Sequence, residues 1–165
     1  IFEALEDYDR AREYYLEGLQ RFEEANDTWG IAISQMLFGH FEVKQNNHTE
    51  AEIHFHKAFL VEYPRNNFID MYVIMMGISS FLAMRGDSEF AVRLASFLFH
   101  YDISIKSYVG EPVVRPQLDQ TLDNLTIEMG EEAYQQAWKT GKSLTFDAVK
   151  QELFDYFNAM PEVKE

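Results

Sequence analysis

The chain has 165 residues, of which 47% are hydrophobic and 15% are aromatic. This composition is ample for one packed domain and argues against disorder. The absence of cysteine excludes disulfides and thiolate metal sites, and it fits a cytoplasmic protein. Lys and Arg total 14 against 28 Asp and Glu, and the resulting charge of −14 would repel a phosphate backbone. Nucleic acid is therefore not an expected partner.

Neither a membrane span nor a signal peptide is predicted. The longest uncharged apolar stretch, Met71 to Met84, is shorter than the roughly 20 residues that cross a bilayer, so it predicts a buried helix. The first residues lack a basic region followed by an apolar one. Because Ile1 is not Met and opens in mid-pattern, we expect it to be a cut within a longer chain.

An internal repeat runs along the first two thirds of the chain. Ala11, Ala51 and Ala91 recur at one constant interval (51 − 11 = 40 and 91 − 51 = 40), which we call the repeat interval. The same interval aligns these further sets: Tyr15, Phe55 and Ala95; Gly18, Ala58 and Leu98; Leu19, Phe59 and Phe99. Each repeat is therefore one unit of structure.

Each unit reads as two helices joined by a short turn. In the second unit the first helix runs from about Trp29 to Lys44, and the second from about Thr49 to Tyr63, before Pro64. Thr49 and Glu52 have the spacing of a capping box. Further expected N-caps are Asp27 or Thr28, and Asp87.

Helix pairs of this kind bury their apolar stripes by stacking on their neighbours. The small residues Gly39, Ala51 and Ala58 would allow close approach of the two helices. The first unit retains only the end of its first helix, Phe2 to Leu5. We expect its truncated face to fray or to form a homodimer contact.

The C-terminal third predicts a helical cap. Residues 107–116 read as a long loop, followed by a helix from Gln117 to Glu128 with leucines on one face. A short helix from Glu131 to Lys139 and a final helix opened by Thr145 follow. We therefore assign residues 1–106 to the repeats and 107–165 to the loop and cap, packed together as one domain.

The second unit resembles the tetratricopeptide repeat. Phe38-Gly39, Ala51, Phe55, Ala58 and Pro64 follow that family's order of residues, in a longer unit of about 40 residues. The resemblance implies an all-α, right-handed superhelix of helix pairs. It also implies that ligands contact the inner, concave helices.

The segment from Met129 to Leu153 is similar to the closing segment of bacterial LuxR-type and related NTPase-linked transcriptional regulators. The matching positions are Gly130, Glu131, Glu132, Ala133, Ala137, Trp138, Gly141, Leu144, Thr145 and Ala148. This resemblance implies a non-catalytic part of a signalling or transcription regulator.

No motif for catalysis, cofactor binding or metal binding was found. The chain has neither a phosphate-binding glycine loop nor a nucleophile elbow, so we expect no enzymatic activity and no cofactor. His54 and His56 would lie about 200° apart on a helix. We therefore expect one of them to face the core and the other water, rather than a metal.

The predicted partner-binding face consists of the inner-helix positions implied by the tetratricopeptide resemblance. These residues are Ile33, Met36, His40, Val43, Lys44, Val73, Met76, Ser80 and Met84. The face is apolar and rich in Met, which adapts to irregular partners. Three occupants fit it: the chain's own cap, a helix or peptide of a partner, or a second copy.

The sequence therefore predicts a protein–protein interaction module within a bacterial regulator. A second hypothesis is a sensor domain that binds a small inducer or signalling peptide. A closed, partly polar pocket between the groove and the cap would favour the second hypothesis.

Overall fold

A computed structural model describes residues 7–101 and 111–159, with side chains from residue 114 onward in the second range. Within these ranges the protein is all-α, as predicted, and contains no strand. The helices are α1 (Tyr8–Glu24), α2 (Thr28–Lys44), α3 (His48–Glu62), α4 (Phe68–Arg85), α5 (Ser88–His100), α6 (Glu111–Met129), α7 (Glu131–Gly141) and α8 (Phe146–Ala159). The predicted Phe2–Leu5 helix end lies outside the described residues.

The first four turns share one geometry. Asn26, Asn46, Asn66 and Gly86 all have positive φ, at 53°, 59°, 50° and 87°. They recur at half the repeat interval (46 − 26, 66 − 46, 86 − 66). Asn tolerates this left-handed backbone better than most residues, and Gly adopts it freely. The chain therefore leaves α1 to α4 through one left-handed residue each, which in α3 follows a short 3-10 helix, Tyr63–Arg65.

The residue after each left-handed position is the N-cap of the next helix. These N-caps are Asp27, Asn47, Asn67 and Asp87. At Asp27 the carboxylate accepts the Gly30 N–H at 3.0 Å, as predicted for this cap. The predicted capping box at Thr49 is wrong, because α3 begins one residue earlier and Asn47 takes the N-cap position.

Consecutive helices run antiparallel. The contacts between α2 and α3 pair Glu42 with Asn47 near the turn and Gln35 with His54 farther along. In the next pair, the Ser79 hydroxyl donates to the Ala91 carbonyl at 2.8 Å. The Ala residues that define the repeat, Ala11, Ala51 and Ala91, are all buried.

Phe55 fills the space between α2, α3 and α4. A Cβ built on Gly39 would lie 3.1 Å from the Phe55 ring, and one built on Gly77 would lie 2.6 Å from it. The absence of side chains on these two glycines therefore makes room for the ring. Gly39 has the packing role that its spacing predicted.

The centre of the molecule is α4. Every residue from Met71 to Leu82 is buried, and α2, α3, α5 and α6 all pack against this helix. It is long and apolar enough to be a candidate membrane span, but 67% of it is buried inside the protein. That burial is consistent with a core helix of a soluble protein.

The C-terminal region is more helical than predicted. Helix α6 begins at Glu111, so residues 111–116 are not a loop; residues 107–110 lie outside the described residues. Pro112 lies in the first turn of α6, where its missing N–H has no intrahelical partner to lose. Pro116 lies in the helix interior. Val114 and Leu118 hold this start of α6 against the core.

Helices α6 and α7 continue the stacking of the preceding helices. Helix α6 packs on α4, and α7 packs on α5. A Cβ on Gly141 would lie 2.3 Å from the Arg93 carbonyl oxygen, so α7 approaches the α5 backbone closely at its end. Buried residues from α2 through α8 belong to one hydrophobic cluster.

Candidate protein-binding surfaces

The nine residues of the predicted partner-binding face do not form one accessible surface. Five of them are buried: Met36, His40, Val73, Met76 and Ser80. Ile33, Val43 and Met84 are partly buried and Lys44 is exposed. In this conformation only these last four offer surface to a partner.

Packing between helices explains this burial. Met36 is fully buried, and its side chain lies 3.6 Å from the position of a Cβ on Gly77, between α2 and α4. Leu118, Leu122 and Leu125 of α6 belong to the cluster that contains the buried side chains of α4. Of the three occupants considered from the sequence, the chain's own C-terminal segment is the one that lies against α4.

Helix α8 occupies a groove on another side of the molecule, between α3 and α5. Val149, Leu153 and Phe157 form its buried face. The Phe157 ring stacks on His56 at 4.9 Å and lies 5.6 Å from the Phe59 ring. The spacing of these three residues (i, i+4, i+8) makes α8 a regular amphipathic helix.

Polar contacts hold α8 at both walls of this groove. On the α5 side, the Arg93 guanidinium donates to the Glu152 carboxylate at 3.3 Å, and the Tyr156 hydroxyl donates to Asp87 at 2.7 Å. On the α3 side, Lys150 donates to the Asn66 side chain at 2.7 Å. We call this site the α3–α5 groove.

Exposed large apolar side chains are concentrated on α1, with one more on α3. Seven such residues are exposed in the described part of the chain, and five of them lie on these two helices: Tyr8, Tyr14, Leu16, Phe22 and Leu60. The other two are Tyr101 and Ile127. A helix with this many exposed large apolar side chains is a candidate interaction surface.

A buried polar network fastens α1 to the α2–α3 turn. The Glu42 carboxylate is fully buried and pairs with the Arg12 guanidinium at 2.6 Å. It also accepts the Asn47 amide at 2.7 Å. Arg12 lies over the Phe38 ring, at 5.6 Å from its centroid. The buried charge is therefore both paired and hydrogen-bonded, as burial requires.

His54 and His56 have different environments. His54 hydrogen-bonds to Gln35 at 2.7 Å and stacks on Phe38, and burial lowers its pKa to about 4, with smaller effects from Lys57 and Arg12. Burial also lowers the pKa of His56, although Glu52 opposes the shift. His54 is buried, whereas His56 is partly exposed, with the Phe157 ring stacked on one face.

Two further features bear on ligand binding. No group of three or more His, Asp or Glu residues in the described ranges is arranged to hold a metal ion. A depression of about 560 Å³ lies at the α6–α7 turn, away from the predicted face, and is lined by Met129, Gly130, Glu131, Glu132, Ala133 and Gln136. It is not the pocket between groove and cap that would favour an inducer sensor.

Comparison with protein-family models, with curated proteins and with solved structures found no match.

Proposed function

We propose that the chain is a non-catalytic protein–protein interaction module of a cytoplasmic bacterial signalling or transcription regulator, built as a tetratricopeptide-like superhelix. The single observation that carries the proposal is the concentration of exposed apolar side chains on α1, with Leu60 on α3 beside them in the repeat. The regular alternation of helices over the repeat interval and the resemblance of residues 129–153 to a regulator's closing segment add to it.

The alternative of a small-molecule sensor has less support. The face that would have lined an inducer pocket is filled by side chains of α2, α4 and α6. The acidic charge of −14 also argues for a protein partner over a nucleic acid. Homodimerisation through α1 is an arrangement that the same exposed side chains would allow.

Site-directed photo-crosslinking tests the proposal. A photoreactive phenylalanine analogue would replace Tyr14, Leu16, Leu60, Lys44 or Ile127 in turn, with the protein produced in a bacterial host alongside its genomic neighbours. We expect covalent adducts to another polypeptide from positions on α1 and α3, and none from Ile127 on α6. Adducts from no position would overturn the protein-binding function.

A further inference from the structure

The repeat predicts a second groove, equivalent to the one that holds α8, between α1 and α3. Helix α1 packs on α2 as α3 packs on α4, and α2 packs on α3 as α4 packs on α5. We therefore expect α1 to lie beside α3 as α3 lies beside α5, one repeat interval farther along the chain. We call this second site the α1–α3 groove.

The repeat interval identifies the residues that would line the α1–α3 groove. His56 and Phe59, which contact Phe157 of α8, correspond to Leu16 and Leu19 (56 − 40 and 59 − 40). Arg93, which binds Glu152, corresponds to Ile53 (93 − 40). Leu16 is 50% exposed, more than its counterpart His56, which is only partly exposed under Phe157. Ile53 is partly exposed and Leu19, like its counterpart Phe59, is buried. The apolar surface that the α1–α3 groove offers is therefore that of Leu16 and Ile53.

The charges at the rim differ between the two grooves. Tyr63, which stacks on Phe154, corresponds to Glu23, and Phe90, which contacts Tyr156, corresponds to Glu50. Both glutamates are exposed. The α1–α3 groove also has one cation that the α3–α5 groove lacks, because Lys57 is the counterpart of Phe97 (97 − 40). A helix in this groove would face carboxylates at the two positions where α8 meets aromatic rings.

We infer that the α1–α3 groove binds an amphipathic helix of a partner protein, with apolar residues at i, i+4 and i+8 and with Lys or Arg facing Glu23 and Glu50. Opposite charges across such an interface favour encounter and select the partner. Helix α8 of a second copy fits poorly, since it carries Asp147, Glu152 and Asp155 against one Lys150. This inference rests on the proposed function and names the class of partner.

Two synthetic peptides test the charge requirement. Both have the α8 sequence, residues 146–159, with Glu152→Leu to match Ile53. One carries Phe154→Arg and Tyr156→Arg, and the other carries Phe154→Glu and Tyr156→Glu. In fluorescence anisotropy titrations with the full chain, we expect the arginine peptide to bind at least about tenfold more tightly than the glutamate peptide.

Variants of the protein assign the binding to the groove. Leu16→Ser with Ile53→Ser should abolish binding of the arginine peptide, and the matched control Ile127→Ser, at a residue 84% exposed on α6, should not change it. Glu23→Lys with Glu50→Lys should reverse the preference between the two peptides. Circular dichroism of each variant confirms that the fold is retained.

Three outcomes would overturn the inference. The peptides could bind equally, the Leu16 and Ile53 substitutions could have no effect, or light scattering could show a dimer that these substitutions dissolve. A peptide that competes with α8 for the α3–α5 groove would instead change its affinity in the Arg93→Ala variant.

The crosslinking experiment separates the two proposals, because adducts from Tyr14 or Lys44 but none from Leu16 would leave the protein-binding function standing.

Discussion

Buried polar residues fix how the first helix sits on the rest of the molecule. The buried Glu42 carboxylate pairs with Arg12 and accepts a hydrogen bond from Asn47. His54 has a related role between α2 and α3, where Gln35 supplies its hydrogen bond. These groups specify one arrangement of the helices, and each gives a prediction.

Replacing Arg12 by Ala should lower the free energy of unfolding by about 2–3 kcal/mol, because it leaves a buried carboxylate without its cation. Urea denaturation followed by circular dichroism measures the loss. Arg21→Ala is the control, since Arg21 pairs with Glu17 in an exposed position where such pairs contribute about 0–1 kcal/mol. Equal losses in the two variants would contradict a special role for the buried pair.

Protonation of His54 should destabilise the folded protein below neutral pH. Its pKa is lowered from 6.5 to about 4, so between these values the unfolded chain binds a proton that the folded protein does not. Stability should therefore fall as the pH decreases through this window, by up to about 3 kcal/mol from this residue. Urea midpoints of the wild type and of His54→Gln at pH 7 and pH 4.5 measure the effect. The variant should lose less stability between the two pH values, while His48→Gln should follow the wild type.

At the scale of the helices, much of the first part of the fold can be predicted from the sequence. Both helices of the second unit lie within one residue of their predicted ends. The start of α6 cannot be predicted in this way. Pro112 and Pro116 are typical of a loop, and only the contacts of Val114 and Leu118 with the core reveal that the helix begins at residue 111.

The turns hold a regularity that is also visible in the sequence. The pairs Asn26-Asp27, Asn46-Asn47, Asn66-Asn67 and Gly86-Asp87 recur at half the repeat interval (46 − 26, 66 − 46, 86 − 66). The turn between the two helices of a pair and the turn between successive pairs therefore have the same sequence pattern. The Ala and Phe positions reveal only the full interval, because the two helices of a pair bury different side chains.

Glycine substitutions should separate close helix contacts from open ones. Gly141→Ala should cost about 1–3 kcal/mol, because its Cβ would lie 2.3 Å from the Arg93 carbonyl oxygen and backbone cannot give way easily. Gly18→Ala should stabilise α1 by about 0.5–1 kcal/mol, since nothing lies within 4 Å of its Cβ and Ala favours a helix. Thermal denaturation measures both changes, and a loss of stability in Gly18→Ala would contradict the open position.

At the scale of the whole molecule, one hydrophobic cluster joins α2 to α8, whereas α1 contacts α2 through a smaller separate one. This organisation explains why five of the nine residues of the predicted binding face are buried. The apolar character of α4 on all sides indicates that something covers it, but the sequence alone does not say which segment does so. The predicted face also omits Leu16 and Ile53. Apolar periodicity identifies the residues of a helix that face the core, but it does not indicate which surfaces lie beside the remaining side chains.

The shared cluster predicts that α2 to α8 unfold together. The two tryptophans, Trp29 on α2 and Trp138 on α7, lie in opposite parts of the chain and report on different regions. Each of the variants Trp138→Phe and Trp29→Phe keeps one tryptophan. In each variant, the urea midpoint measured by fluorescence should equal the midpoint measured by circular dichroism. Separate transitions would show that the two regions fold independently.

The common form of the turns limits how this protein can change in length. Adding one helix and its turn, which is half the repeat interval, would exchange the two kinds of helix of a pair, which bury different side chains, for every helix that follows. Adding residues 47–86 a second time after Gly86 restores the alternation, and α5 to α8 meet the same surface as before. We expect such a longer chain to keep its helical content and cooperative melting, and a duplication of residues 67–86 alone to lose both, by circular dichroism. Gene duplication can therefore lengthen the module only by whole pairs of helices, so that inherited changes in its length come in steps of one repeat interval.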